Sequence, residues 1–420
     1  MTLMPLKKIQ SNARAYFSKN GWPAPHDEEW KYTSTKELKE LNLSPNLLGK
    51  QKPQVNEKHI FPLLPKNFYN LVFVNGQFIE TLSNVEKHKE FFEVSFFAEG
   101  NVKLSSILAK FRNERKNLGG VEQDSLEAMN SIFSETGVII CVKANCRLNK
   151  PIHIFHYVDQ NLTASYIKNY VICESQSKTT LIESYTGAKE AICFSNAVTE
   201  IILQESSQMN YIRAQEESIS SFNYGRTRFY LKKNSSLESL AYSTGAKLAR
   251  HNLDVYLTGA QASARINGIY LASGHQHIDN HTLIDHACGE CISSQLYKGL
   301  LSGEARAVFD GKVQIRRNSQ KAFSEQLNKT LLLSSKAEID SKPQLQIFAD
   351  DVKATHGSTV GQLNPDEIFY FLSRAIPRQT AVEILSLGFV SDPIFQVSDK
   401  KIQAWLYSKL AKVFQDRKNL

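Results

Sequence analysis

The chain has 420 residues, 42% of them hydrophobic and 22% charged, with a formal net charge of +8; these are values of an ordinary globular protein and exclude a disordered or fibrous class. The basic balance permits acidic partners, but Lys and Arg are interleaved with Asp and Glu, the pattern of a solvated surface rather than of a nucleic-acid site. No run approaches the roughly 18 apolar residues of a membrane span, and the first residues lack the apolar core of a signal peptide. Six cysteines, Cys141, Cys146, Cys173, Cys193, Cys288 and Cys291, are too few for a disulfide framework at this length. The expectation is a cytoplasmic chain with neither nucleic acid nor membrane as partner.

From Leu6 to Asn20 the residues Leu6, Ile9, Ala13, Tyr16 and Phe17 recur at helical spacing, and Gly21-Trp22-Pro23 stops the pattern. Pro53, Pro62 and Pro65 interrupt the chain before a strand-like run, Tyr69 to Val74, which Asn75-Gly76 turns into Gln77 to Ile79 as a hairpin. Leu104 to Phe111 and Ser125 to Phe133 read as helices, so residues 1–136 form a mixed, partly helical region. At Gly137 the character changes. Short β-branched and aromatic runs begin with Val138 to Val142 and Ile152 to Tyr157 and continue through Leu253 to Leu257 and His281 to Asp285, reaching about His356 without a long helical pattern between them. Such spacing suits an antiparallel sandwich, a barrel or a β-solenoid; the scarcity of hairpin dipeptides and the length of residues 137–363 favour the solenoid.

Residues 364–420 turn helical. Asn364 suits an N-cap, Pro365 the first helical position, and Asp366 with Glu367 the positive end of the dipole, for a helix reaching Ser373. Arg378 to Phe389 follows, with Ala381, Ile384, Leu385 and Gly388 on one stripe. Asp399 to Phe414 is amphipathic, with Ile402, Trp405, Leu406, Leu410, Val413 and Phe414 facing one way.

The chemistry concentrates between Lys342 and Arg374. Leu345, Ile347 and Ala349 alternate with Gln344, Gln346 and Phe348 as in a strand, and this second face, following Pro343, is polar and aromatic enough to suit an edge that meets another chain. Asp350 and Asp351 come next. Clustered carboxylates serve carbohydrate-active β-helix enzymes as acid and base, but the chain lacks the Arg and Asp series and the aromatic platform of such a cleft, and a strand-ending turn accounts for the pair. His356 lies among small residues that leave its ring approachable. Cys288-Gly-Glu-Cys291 lacks two further ligands at zinc spacing and the strand-to-helix setting of a redox pair, so it reads as structural thiols. His275, His277, His281 and His286 lie just upstream; a spacing of two puts His275 and His277 on one strand face, which permits metal binding, although a place in the wall is the plainer reading. No Walker motif appears.

The residues QLYKG from Gln295 to Gly299, LLLSSKAEIDSKPQLQI from Leu331 to Ile347 and ADDVK..HG..VGQL around His356 resemble the SufB/SufD family of iron-sulfur cluster assembly proteins. The resemblance runs in order from about Asn223 to Val390, and Gly21-Trp22-Pro23 with Glu29-Trp30-Lys31-Tyr32-Thr33 is similar to the family's entry segment. It implies a mainly β fold, a right-handed parallel β-helix core between an N-terminal mixed region and C-terminal helices. It also implies a non-catalytic scaffold that pairs with a SufB-like subunit and recruits a SufC-like ATPase. The implied docking surface for the ATPase is Phe369 with Ala381, Ile384, Leu385 and Phe389; that for the SufB-like subunit is Gln344, Gln346, Phe348 and His356. His356 matches the family's histidine held to ligate a nascent cluster, so a transient iron-sulfur cluster or iron shared with the partner is the one cofactor implied. Members often carry Cys two residues earlier, where this chain has Ala354.

Overall fold

The protein was analysed as a computed structural model, which describes residues 4–45, 57–85, 90–96, 102–119 and 124–417. Pro53 and the side chains of Leu6 and Leu104 lie outside them. The chain opens with α1 (Met4–Asn20), α2 (Lys36–Glu40), β1 (Ser44–Pro45), α3 (Glu57–Ile60), β2 (Tyr69–Val74), β3 (Gln77–Phe78), β4 (Phe92–Phe96), α4 (Val102–Asn117) and α5 (Ser125–Phe133). Strands then follow without an intervening helix: β5 (Val138–Val142), β6 (Ile152–Val158), β7 (Thr163–Cys173), β8 (Lys178–Gly187), β9 (Cys193–Leu203), β10 (Gln208–Gln215), β11 (Phe222–Leu231), β12 (Ser236–Ser243), β13 (Leu248–Leu257), β14 (Ser263–Ala272), β15 (His277–His286), β16 (Ile292–Leu301), β17 (Arg306–Ile315), β18 (Ala322–Leu332), β19 (Glu338–Ile347) and β20 (Val352–Gly361). The end is helical: α6 (Pro365–Leu372), α7 (Arg378–Phe395) and α8 (Lys400–Arg417).

From β5 onward the odd-numbered strands form one sheet and the even-numbered strands the other, each strand from β7 on running parallel to the one two places before it. Each coil gives one strand to each sheet, so the solenoid prevails over the sandwich and the barrel. The sheets begin before Gly137: β2 pairs in parallel with β6 and turns through Asn75-Gly76 into β3, while β4 pairs antiparallel with β5. Alternation builds the walls. Along β10, Met209 and Tyr211 face the lumen, whereas Ile212 and Ala214 face out beneath α7 and α8.

The outer face of the odd sheet is covered by α4, through Ile107, Leu108 and Phe111, and by Trp30, Leu38, Leu126 and Met129. On the even sheet, Ile402, Leu406, Leu410 and Phe414 of α8 are buried as the sequence stripe predicts. Asn364 Oδ1 accepts from the Asp366 N–H at 2.9 Å, capping α6. The helix expected to stop at Phe389 instead runs through Pro393 to Phe395. Proline has no N–H for the Phe389 carbonyl, and Lys298 Nζ supplies that donor at 2.8 Å from the even sheet.

The coils share a turn that the sequence hides, because the offset between paired residues varies from 26 (Phe222 to Leu248) to 32 (Arg306 to Glu338). Gln176, Ser206, Asn234, Gln261, Glu290 and Lys321 all take a left-handed φ between +55° and +60°. Each is followed by a small buried residue: Ser177, Ser207, Ser235, Ala262, Cys291 and Ala322. The serines donate to the carbonyl three residues back. Cys291 is therefore one member of a column of small turn residues.

Candidate functional site

The solenoid ends unclosed. β19 and β20 make the last coil, and each is paired with another strand on one side only. In β18 the buried, lumen-facing residues are Ala322, Ser324, Gln326, Asn328 and Thr330, and the register continues them as Val352, Ala354, His356, Ser358 and Val360 in β20. The corresponding residues of β19 are Ile339, Ser341, Pro343, Leu345 and Ile347, aligned with the buried Ala307, Phe309, Gly311, Val313 and Ile315 of β17. No coil among the described residues lies above them. Ser341 and Ser358 hydroxyls meet across the mouth at 2.8 Å, and Asn328 Nδ2 donates to Ser341 Oγ at 2.9 Å.

His356 occupies the rim of this mouth, exposed, with no hydrogen-bond or ion-pair partner among the described residues. Ala354 sits on the same lumen side, packed against the core, so a cysteine there would share the rim with the imidazole. Gln344, Gln346 and Phe348 share the last coil with His356 but not its face. They follow the outward parity: Gln344 Nε2 donates to Asp310 Oδ1 at 2.7 Å, and Phe348 is 61% exposed. Asp350 and Asp351 form the turn joining β19 to β20, where the Asp351 carbonyl accepts from the Lys321 N–H at 2.6 Å and its N–H donates to Gln320 Oε1 at 2.9 Å.

The C-terminal residues divide. α6 has no buried residue, and its Phe369, at 69%, and Tyr370 are exposed. On α7, Ile384 is 46% exposed and Leu385 half-buried, but Ala381 is fully buried inside the chain and Phe389 packs against Lys298. The stripe predicted from sequence is thus not the packing stripe, which runs through Ala381, Ser386, Val390 and Ile394.

The four histidines do not converge. His275 lies in an exposed turn beside Glu304, off the strand that His277 begins. His286 is in the lumen with Nε2 2.8 Å from Ser293 Oγ, and burial pushes its pKa down to about 4. Cys291 is buried, its thiol pushed up to about 11 by desolvation, which does not favour a reactive thiolate. Among the described residues no group of three or more His, Cys, Asp or Glu side chains is placed to hold a metal ion. One imidazole at the rim cannot hold a cluster alone.

Two ionic assemblies on the odd sheet's outer face were not foreseen from the residues alone. Arg228 donates to both carboxylate oxygens of Glu127 from α5, at 2.5 and 2.7 Å, and Asp254 accepts from Arg226 and Arg228 at 3.0 and 3.1 Å. Burial opposes ionisation of Glu127, yet Arg228, joined by Arg226 and Arg115, outweighs it and holds the carboxyl well below its usual range. The second assembly binds the strap of residues 28–37. Glu28 pairs with Lys342 of β19 at 2.6 Å, the Arg250 guanidinium lies 3.8 Å over the Trp30 ring, and Thr33 Oγ1 donates to Asp279 Oδ2 at 2.6 Å. His281 lies between Asp279 at 3.0 Å and Glu29 at 3.5 Å. Contact with His281 brings Glu29 down to about 2. Burial and Arg250 oppose protonation of His281, but the two carboxylates raise its pKa overall. The segment Glu29-Trp30-Lys31-Tyr32-Thr33 was legible by its similarity to the family's entry segment; its partners more than 200 residues away were not.

The family description "SUF system FeS cluster assembly, SufBD core domain" matches residues 155–389, and "SufBD protein N-terminal region" matches residues 2–154, a division that falls within β6. The chain is 32% identical over 400 residues to an iron-sulfur cluster assembly SufBD family protein of Synechocystis, covering 91% of this chain and 86% of that one. It is 27% identical over 416 residues to the chloroplastic protein ABCI7 of Arabidopsis thaliana (95% and 84%) and 25% identical over 397 residues to the iron-sulfur cluster assembly protein SufD of Escherichia coli (93% and 89%).

Proposed function

The chain belongs to the SufBD family of iron-sulfur cluster assembly proteins, and from that premise we propose that it is a non-catalytic scaffold subunit of a SUF machine, handling an iron-sulfur cluster or its iron as transient cargo. The last coil is the face for a SufB-like subunit. The observation that carries this reading is the unclosed mouth with His356 on its rim: β19 and β20 offer unpaired edges, and Ile347 and Val360 are exposed on the lumen side. A partner strand laid along these edges would extend both sheets and cover those side chains. His356 would then stand at the seam and offer one neutral imidazole. Because Ala354 carries no thiol, the remaining ligands come from the partner.

Phe369, Tyr370, Leu372 and Ile384, exposed on α6 and α7, form the surface for a SufC-like ATPase. No helix among the described residues is long and apolar enough to cross a membrane, and none of the six cysteines forms a disulfide among the described residues, which suits a reducing cytoplasm. The test is His356→Ala. The heteromer should survive, since one side chain is small beside the interface, while cluster formation falls severely and His356→Cys recovers part of it. Normal maturation of iron-sulfur enzymes by the alanine variant, in cells without another assembly system, refutes the ligand role.

A further inference from the structure

Three side chains of successive coils stack in one lumen column at the open end: Gln295 of β16, Gln326 of β18 and His356 of β20. The two glutamines are buried and form an amide ladder. Gln326 Nε2 donates to Gln295 Oε1 at 2.8 Å, and Gln295 Nε2 donates to Thr282 Oγ1 at 2.8 Å. The site is shaped for the amide: a Cβ on Gly311, across the lumen, would fall 2.4 Å from Gln326 Nε2. The first donation runs away from the mouth and the second crosses the lumen to β15, leaving one acceptor at the head of the ladder. Gln326 Oε1 is buried and has no hydrogen-bond partner. Buried carbonyl oxygens rarely go unpaired, because the lost hydration is not replaced. The next rung of the column, roughly 4.8 Å along the axis, is His356, whose ring also lacks a partner among the described residues.

We infer that Gln326 is a positioning residue for His356: its Oε1 accepts the ring N–H of His356, fixing one tautomer and turning the other nitrogen's lone pair out of the mouth. The purpose of this contact rests on the ligand role proposed above, although the hydrogen bond itself does not. A neutral imidazole binds metal through its bare nitrogen, and an acceptor on the opposite nitrogen sets which one is bare and where it points. Without that acceptor the ring would divide between tautomers and offer a donor where a ligand is needed. Thr282, Gln295 and Gln326 thus act as a rigid stem, since each amide is held by the one behind it.

The test is the tautomer of His356 in the full chain, labelled with 15N-histidine and read by long-range 15N–1H correlation at a pH where the ring is neutral. His356→Ala assigns its signals among the 11 histidines. The wild-type ring should show a single tautomer. Gln326→Leu should shift the tautomer ratio about fivefold towards a mixture, and Gln326→Glu, which keeps an acceptor at the same reach, should restore it. A wild-type ring already mixed like free imidazole overturns the inference without any variant, and so does an unchanged ratio in a folded Gln326→Leu chain. Should that result accompany a maturation defect in His356→Ala, the positioning role fails while the ligand role stands; a fixed tautomer without such a defect separates them the other way.

Discussion

Phe369→Asp separates the docking surface from the fold. A phenylalanine presents roughly 200 Å², and Phe369 is 69% exposed, so about 140 Å² is available to a partner. At ~25 cal/mol per Å² that area is worth at most about 3.5 kcal/mol. Incomplete burial and the costs of association reduce the expected loss to about 2 kcal/mol, or roughly thirty-fold in Kd. The chain's own stability should move by less than about 0.5 kcal/mol, because α6 buries none of its residues. Ala381→Asp is the contrasting variant, since Ala381 is fully buried and a charge there disrupts the packing of α7 before any partner arrives. Calorimetric titration with the ATPase, paired with thermal unfolding of each variant, reads both quantities. Wild-type affinity in Phe369→Asp, or weakened binding only in variants that also unfold, would refute the assignment of the ATPase surface.

The buried ion pair carries its own expectation: Glu127→Ala removes the bidentate acceptor of Arg228, itself fully buried, and should cost about 3–5 kcal/mol in denaturant unfolding, whereas a loss below about 1 kcal/mol would show that the other partners of the guanidinium, Asp254 among them, satisfy it. The strap should hold best in mildly acidic solution. The raised pKa of His281 makes its contribution full below the ordinary 6.5 and lost as pH rises through the raised value, while Glu29, lowered from 4.5 to about 2, contributes fully above 4.5 and loses it as pH falls. Emission from Trp30, in a chain whose Trp22 and Trp405 are replaced by Phe, should therefore report the tightest packing between pH 4.5 and 6.5, and a flat profile into the alkaline range would remove His281 from the strap's hold.

Local chemistry was legible where its cause was local. Asn364-Pro365-Asp366 announced the start of α6 because the cap, the fixed proline φ and the helix dipole act within one turn. The period-two alternation of β19 sorted Leu345 and Ile347 from Gln344 and Gln346 correctly, and the stripe of α8 was buried as read. The motifs around His356 identified the family without any coordinates.

What escaped was set by register between distant coils. A one-residue change in coil length alters which side chains stack, and coils of 26 to 32 residues leave no fixed period to read. The column Gln295, Gln326 and His356 and the pairs Glu127 with Arg228 and Glu29 with His281 exist only once that register is set. The stripe on α7 differs for a related reason: Ala381 and Ile384 are both apolar, and only the tertiary packing of α7 buries the first and leaves the second exposed. Composition and spacing thus determined the elements, and the resemblance of the motifs pointed to the family and to His356, whereas the open coil that makes the histidine reachable was decided by where the stacking of coils stops, a property of long-range hydrogen bonding that no local run of residues encodes.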